Sequence, residues 1–369
     1  KLMQVRRISS SGAQKWAFVL LVLLLTFVIG AYAQAMPDAQ VMADTSLRLR
    51  AAPTTESDIL ALLEGETPLT VLGVSLEQDW LNVRVPDGTI GWVSAEYVDV
   101  FIDLDALFPS GMGEVRLSIE VITHIQQVYA HGQALGNHPN VFAKVGDSIT
   151  VSSLTLHPLG VGLYNLSDYG YLQGVIDFYA SGETRDGRNS FNEESVAAGI
   201  GWTTYAVLDP EESNLALCVP GETPLMCEYR LLRPSVSLIM YGTNDVGILE
   251  PIQYRTNLDR IVMLTEAQGI IPVLTTIPMR VGYEARTHEF NQIVTEVTLA
   301  HDIPLLDYGA AMQPLGLAGL DLDQVHPSPP PNGYEGAADF SEYNLGYGYV
   351  VRNLTALQIL DAIWRATAA

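Results

Sequence analysis

The sequence is poor in cationic side chains, with 19 Lys and Arg against 42 Asp and Glu in 369 residues and a formal net charge of −23. Nucleic-acid backbones are excluded as partners, because phosphate binding needs clustered Lys and Arg. Docking on anionic lipid headgroups is disfavoured for the same reason. Charged residues of both signs reach only 17%. Gly and Pro contents are ordinary, so the chain is neither disordered nor collagen-like. Cysteine is scarcer still: Cys218 and Cys227 are the only two, and no His cluster accompanies them, so no metal is expected. A zinc-protease helix motif and a phosphate-binding glycine loop are both missing, and no cofactor is implied. What remains is a chain long enough for about two domains with a sizeable core.

The N-terminus sets an address. Residues 1–15 carry Lys1, Arg6, Arg7 and Lys15 and no acid, and an apolar run from Trp16 to Ile29 follows, broken only by Thr26. Small-x-small sites at Ala31-Tyr32-Ala33 and Ala33-Gln34-Ala35 complete the pattern of a secretory signal over residues 1–33, with an uncleaved anchor as the alternative. Removing residues 1–33 leaves 15 basic against 42 acidic residues, a net charge of −27. An exported, extracytoplasmic chain is therefore expected. In that oxidising setting Cys218 and Cys227 are read as a disulfide across Val219–Met226. Closing so short a loop stabilises by roughly 2–3 kcal/mol in the chain-entropy model.

Residues 41–100 are short β-rich runs punctuated by turns. Strands are expected at Leu47–Arg50, Pro68–Gly73, Trp80–Val85 and Ile90–Val93, with Pro86-Asp87-Gly88 as a turn. About 55 such residues suit a small barrel. The opening Leu47-Arg48-Leu49-Arg50-Ala51-Ala52-Pro53, the central Asp79-Trp80-Leu81-Asn82-Val83 and the closing Asp87-Gly88-Thr89-Ile90-Gly91-Trp92-Val93 with Tyr97 resemble the bacterial SH3-like domain. That resemblance implies a tether to peptidoglycan or cell-wall peptides. Trp80, Trp92 and Tyr97 either line a ligand groove or, for the tryptophans, fill the barrel.

Strands and helices alternate over residues 110–369. Helices are expected over Leu117–Gly136, near Gly170–Ala180, and over Leu258–Ala267, Glu289–Ala300 and Tyr349–Ala366. Strands are expected at Asn140–Val145, Ser237–Tyr241, Ile270–Thr276 and Pro304–Asp307. Apolar strands alternating with helices predict an α/β fold, a parallel sheet covered on both faces in three α/β/α layers. Sites on such sheets lie beyond the carboxyl ends of the strands.

Three polar blocks fall at those positions. Gly146-Asp147-Ser148 ends one strand, Gly242-Thr243-Asn244-Asp245 ends another, and Asp323-Gln324-Val325-His326-Pro327 stands near the C-terminus. Each alone reads as a turn, a helix cap or a surface ion pair. Together and in this order they resemble the GDSL or SGNH hydrolase family of serine esterases and lipase-like enzymes. The resemblance implies a flavodoxin-like sandwich with Ser148 as nucleophile, His326 as base, Asp323 as its acidic partner and Asn244 in the oxyanion hole. A fourth block maps onto Gly199-Ile200-Gly201-Trp202-Thr203. Gly201 is the preferred oxyanion glycine and Gly199 the alternative. The Asn that often precedes this block in the family is replaced, with Val196 and Ala197 in the region.

The chemistry needs these residue types. A Ser hydroxyl is a weak nucleophile until a base removes its proton, and imidazole does so near neutral pH. Asp323, three residues before His326, reaches the other imidazole nitrogen from the same loop. The Gly-x-Ser-x-Gly elbow of ordinary α/β-hydrolases is absent, since Thr150 follows Ser148-Ile149. His157 is a competing candidate base.

Two stretches look added to a minimal hydrolase. Pro210–Tyr229 holds the cysteines. Pro327–Gly348 brings Tyr334, Tyr343 and Tyr347, with Tyr349 just beyond, and is expected to rim a cleft for a small-molecule or glycan ester. The function expected is hydrolysis of carboxylic esters of carbohydrates, lipids or small alcohols. The alternatives are a non-catalytic wall-binding protein on a hydrolase scaffold and an O-acyltransferase using the same site.

Overall fold

The computed structural model describes residues 37–101 apart from 52, 56 and 75–78, together with 115 and 117–368. The expected leader over residues 1–33 lies outside the described residues. Among those described, no helix is long and apolar enough to cross a membrane. The chain divides into two compact units, residues 1–103 and 104–369.

The first unit is an antiparallel β structure of seven strands: β1 (Ala39–Val41), β2 (Ser46–Arg50), β3 (Ile59–Glu64), β4 (Pro68–Val74), β5 (Trp80–Arg84), β6 (Ile90–Ser94) and β7 (Val98–Val100). Their order is β3-β2-β6-β5-β4-β1-β7. Register shifts at Leu49/Arg50 and Val71/Gly73 bend β2 and β4, as bulges do where a small sheet must curl. The strand β3 has no counterpart in the sequence reading because Ile-Leu-Ala-Leu-Leu lacks the alternation of a half-buried strand. Aliphatic side chains form the core, with Val41, Leu49, Leu81, Val83 and Val93 fully buried. Trp80 and Trp92 are only half-buried and Tyr97 is exposed. The tryptophans therefore do not fill the barrel, because Leu and Val on the opposite pleat already do.

The second unit is built on four parallel strands, β8 (His138–Gly146), β9 (Pro234–Met240), β10 (Ile271–Thr275) and β11 (Leu305–Leu306), ordered β11-β10-β9-β8. Every residue of β9 and β10 is buried, so side chains on both pleats are covered. The helices that do this include α1 (Ile119–Leu135), α2 (Ser148–Val151), α3 (His157–Gly160), α4 (Gln173–Ala180), α5 (Pro224–Leu232), α6 (Pro251–Ala267), α7 (Glu284–Ala300), α8 (Tyr308–Met312) and α9 (Gly348–Thr367).

Local chemistry explains the boundaries. Ser118 caps α1 by accepting from the Val121 amide at 3.3 Å, and Gly136 closes it at φ 83°. Helix α6 begins seven residues before the expected Leu258, because Pro251 sits at its first position and Gln253 Oε1 accepts from the Glu250 amide at 3.2 Å. At the crossing of α1 and the α6–β10 turn, a Cβ on Gly132 would stand 2.0 Å from the Gly269 carbonyl oxygen, so the backbones meet directly.

Cys218 and Cys227 form a disulfide with a Cα–Cα distance of 5.3 Å. It ties the 210–223 stretch to the first turn of α5. Glu222 lies beside the sulfurs and is held by Arg230 in a two-point ion pair at 2.8 Å. With both sulfurs bonded to each other, neither is available as a thiolate ligand.

Candidate active site

The carboxyl end of β8 places Ser148. A Cβ on Gly146 would stand 2.2 Å from Thr150 Oγ1 and 2.6 Å from the Met240 carbonyl oxygen, so only glycine lets the chain turn here against β9. Asp147 is fully buried and its Oδ1 accepts from the Ile149 amide at 3.0 Å, capping α2 so that Ser148 opens the helix. Burial pushes the Asp147 carboxyl above its usual range, opposed by the Ile149 amide, the Thr243 hydroxyl and the Arg352 guanidinium. Arg352 is buried on α9 with its guanidinium carbon 5.5 Å from the Tyr308 ring centroid. Nothing in the sequence marks Arg352, because it lies within an apolar helical pattern and meets Asp147 only in the fold.

Asp323 and His326 come from one tight loop. Its ends are joined by a bridge between Leu320 and Pro327, by the Asp321 amide to the His326 carbonyl at 2.8 Å, and by Gln324 in the left-handed region at φ 59°. His326 Nε2 lies 2.8 Å from Ser148 Oγ, and His326 Nδ1 lies 2.5 Å from Asp323 Oδ2. Asp323 Oδ1 accepts from the Val325 and His326 amides, each at 3.0 Å. Burial opposes ionisation of Asp323, but hydrogen bonds from the His326 side chain and from these two amides outweigh it and draw its pKa to about 2. The carboxylate is thus ionised wherever the imidazole needs a partner. These three side chains, 178 positions apart between Ser148 and His326, form one hydrogen-bonded chain.

His157 is placed elsewhere. Its Nδ1 is 2.6 Å from the Tyr334 hydroxyl, and their rings meet edge to face at 5.5 Å. The stretch after His326 is largely docked onto the unit rather than free: Ala337, Ala338 and Phe340 are buried, and Asn353 Nδ2 holds the Ala337 carbonyl at 2.8 Å. Tyr349 is buried, and of these tyrosines only Tyr343 stands well out, at 70% exposure. The expected tyrosine rim is therefore reduced to Tyr343 and its neighbour Tyr347, whose hydroxyls lie 3.3 Å apart.

The two remaining blocks converge. The segment at Ala197–Gly199 runs beside β8, with the Gly146 amide donating to the Ala197 carbonyl at 3.2 Å and the Gly199 amide to the Gly146 carbonyl at 3.1 Å. That bond engages the Gly199 amide. Gly201 is exposed at φ 79°, a Cβ there would meet nothing within 4 Å, and its amide has no acceptor among the described residues. Asn244 Nδ2 donates to the Trp202 carbonyl at 2.9 Å, leaving its second N–H for another acceptor. Asp245 is buried, and its Oδ1 accepts from both the Thr204 amide at 2.8 Å and the Thr204 hydroxyl at 2.6 Å. Asp245 thereby fastens the loop that carries Gly201.

Buried charges pin the approach to that loop. Lys144 Nζ donates to the Phe191 carbonyl at 2.7 Å, and Glu228 Oε2 accepts from the Val196 amide at 2.9 Å. Arg185 pairs with Glu193 at 2.7 Å and lies 3.7 Å from Glu228. Burial lowers Lys144 to about 8, opposed by Glu228 and Glu193, and raises Glu228 to about 7, opposed by Arg185 and the Val196 amide.

Burial likewise pushes Asp245 up to about 6, against the hydrogen bonds from Thr204. The folded state then holds this proton more tightly than the unfolded chain, whose value is 3.8. The resulting stabilisation is full below pH 4 and is lost as pH rises through 6. Asp245→Asn should flatten the fall in urea-unfolding free energy between pH 4 and 6. An unchanged slope would remove Asp245 from this linkage.

A parallel sheet whose strand-end loops join a serine, a histidine and an aspartate defines an ester-cleaving hydrolase. The chain belongs to the GDSL-like lipase/acylhydrolase family, whose model matches residues 145–334, and residues 45–99 match the bacterial SH3 domain. Among solved structures, a lipase/acylhydrolase from Enterococcus faecalis is 23% identical, covering 58% of this chain and 95% of that one with a TM-score of 0.36. An acetylxylan esterase from Geobacillus stearothermophilus is 17% identical, covering 59% and 93% with a TM-score of 0.37. A lipolytic protein of G-D-S-L family from Desulfitobacterium hafniense is 14% identical, covering 60% and 99% with a TM-score of 0.36. Such likenesses say nothing of substrate. No curated protein matches the sequence.

Proposed function

We propose that the protein is an exported serine esterase that cleaves carboxylic esters through an acyl-enzyme on Ser148. The observation that carries this reading is the hydrogen-bonded chain Asp323–His326–Ser148. Ser148 Oγ attacks the acyl carbon while its proton passes to His326 Nε2. The tetrahedral intermediate collapses, and the alcohol leaves with that proton. Water then attacks the acyl-enzyme by the same route and releases the acid. Asp323 holds the imidazole with Nε2 toward the serine and stabilises the imidazolium. The Ser148 and Gly201 amides and the Asn244 side chain receive the oxyanion, with Gly201 favoured over Gly199 because the Gly199 amide is already bonded to Gly146. His326 and Asp323 side chains are 34% and 48% exposed, so water has access to an acyl-enzyme on Ser148.

A fluorophosphonate probe tests the nucleophile. It should leave its phosphonyl group on the Ser148 peptide with loss of fluoride, and labelling should be slowed while 4-nitrophenyl acetate is present in excess. Labelling of any other residue, or none, would defeat the reading.

Residues 1–33 act in this proposal as the export signal, residues 41–100 as a tether to peptidoglycan or its peptides, and residues 110–369 as the catalytic domain. The half-buried Trp80 and Trp92 and the exposed Tyr97 supply aromatic surface for that ligand. The full chain should co-sediment with purified cell walls, and Trp92→Ala should reduce the bound fraction severalfold. Equal sedimentation of the two would remove the tether at this surface.

A further inference from the structure

Beside the loops that carry Gly201 and Asn244 lies a shallow cleft the triad does not use. Tyr205, Leu249, Ile252, Gln253, Thr256 and Asn257 line it, and its volume is about 230 Å³. Pockets for drug-sized ligands run from about 300 to 1,000 Å³, so this one suits a single ring rather than an extended molecule. Its wall is tied by hydrogen bonds to the loops that carry Gly201 and Asn244. Tyr205 follows Gly201 along one loop, Asn257 Nδ2 donates to Thr204 Oγ1 at 3.0 Å, and Thr204 is held by Asp245, next to Asn244.

The lining combines three aliphatic or aromatic residues with three polar but uncharged ones. Leu249 and Ile252 offer aliphatic contact, and Tyr205 offers an aromatic face at 61% exposure. Gln253 spends its carbonyl oxygen on the Glu250 amide and keeps its NH₂ group. Asn257 spends its NH₂ group on Thr204 and keeps its carbonyl oxygen. The Thr256 hydroxyl donates to the Ile252 carbonyl and keeps its acceptor lone pairs. A pyranose matches this set, with an apolar C–H face for the tyrosine and hydroxyls that both donate and accept. An alkyl chain would strip water from the amides without replacing its hydrogen bonds. An anionic group would find no cation among the lining residues.

We propose that this cleft is a subsite for one sugar ring of an acylated carbohydrate, with Tyr205 as its stacking platform. The proposal rests on the esterase reading of Ser148 and adds the alcohol side of the ester. Wild type, Tyr205→Ala, Tyr205→Phe and Gln253→Ala are to be compared on methyl 6-O-acetyl-glucopyranoside, whose other hydroxyls are free, octyl acetate and 4-nitrophenyl acetate. Tyr205→Ala should lower the kcat/KM ratio of sugar ester to 4-nitrophenyl acetate by about 5- to 10-fold, through KM, and Tyr205→Phe should restore it. Gln253→Ala should lower the same ratio. An unchanged ratio, or an equal fall for octyl acetate, overturns the subsite. Calorimetric titration of methyl 6-O-acetyl-glucopyranoside into Ser148→Ala, with and without Tyr205→Ala, reads the subsite without turnover: binding weakened by the second substitution supports it, while unweakened or absent binding overturns it. Failure of the esterase reading is seen separately, as a wild type inactive on all three esters.

Discussion

Ser148→Ala is expected to lower kcat/KM on 4-nitrophenyl acetate by about 10⁴- to 10⁶-fold, the range found when the nucleophile of a coupled triad is removed. His326→Ala should cost about as much, and the double variant little more, because the two side chains act as one unit through their 2.8 Å contact. Folding should be spared. Ser148 opens a four-residue helix whose cap is Asp147, and neither substitution touches that cap. The measurement is initial rates with each variant beside its thermal unfolding midpoint. A Ser148→Ala protein keeping more than a tenth of wild-type activity at an unchanged midpoint would sink the acyl-enzyme, and with it the reading of the site. Asp323→Ala should be milder than either, since the nucleophile and the base both remain, and its deficit should lie in kcat.

Asn244→Ala is expected to lower kcat by about 10²- to 10³-fold with KM little changed, the cost of one oxyanion donor. The residue has a second task, because its Nδ2 also fastens the Trp202 carbonyl at 2.9 Å. Loss of that bond could loosen the Gly201 loop, which would appear as a higher KM and a lower unfolding midpoint. The split between kcat and KM therefore decides which task dominates. A fall confined to KM would make Asn244 a structural clasp and leave the oxyanion to the Ser148 and Gly201 amides. Asn244→Asp should be worse than Asn244→Ala, since a carboxylate placed beside a developing oxyanion repels it.

The parts of the site that could be read in advance are those in which the chain itself supplies the geometry. Gly146-Asp147-Ser148 holds in three consecutive residues the small residue needed against β9, the cap and the proposed nucleophile. Asp323 and His326 share one loop, so their pairing needs only local turns. The apolar strands were legible for a similar reason, since burial on both faces leaves no charged positions in β9 or β10. Helix starts were less legible. The first two turns of α6 mix polar and apolar residues without a clear helical stripe, and only the Glu250–Gln253 bond and Pro251 mark the start.

Other parts depended on contacts between distant segments. The choice of Gly201 over Gly199 turns on a backbone bond from residue 199 to residue 146, which no local pattern encodes. Tyr334 and Tyr343 look alike in sequence, yet one is bonded to His157 and the other is exposed, because Asn353 on α9 draws the loop between them onto the unit. The tryptophans of the β unit looked equally suited to its core, which the aliphatic residues of the opposite pleat occupy instead.

The scarcity of cations, the alternation of strands and helices, and the residue types of the triad blocks were determined by the sequence alone, because composition and short-range spacing carry them. The tertiary structure decided which glycine amide is left unpaired, which aspartate clasps the loop that carries Gly201, and where an uncharged cleft opens beside it. Those outcomes depend on hydrogen bonds and close packing across tens to hundreds of residues, where only the folded chain brings the partners together.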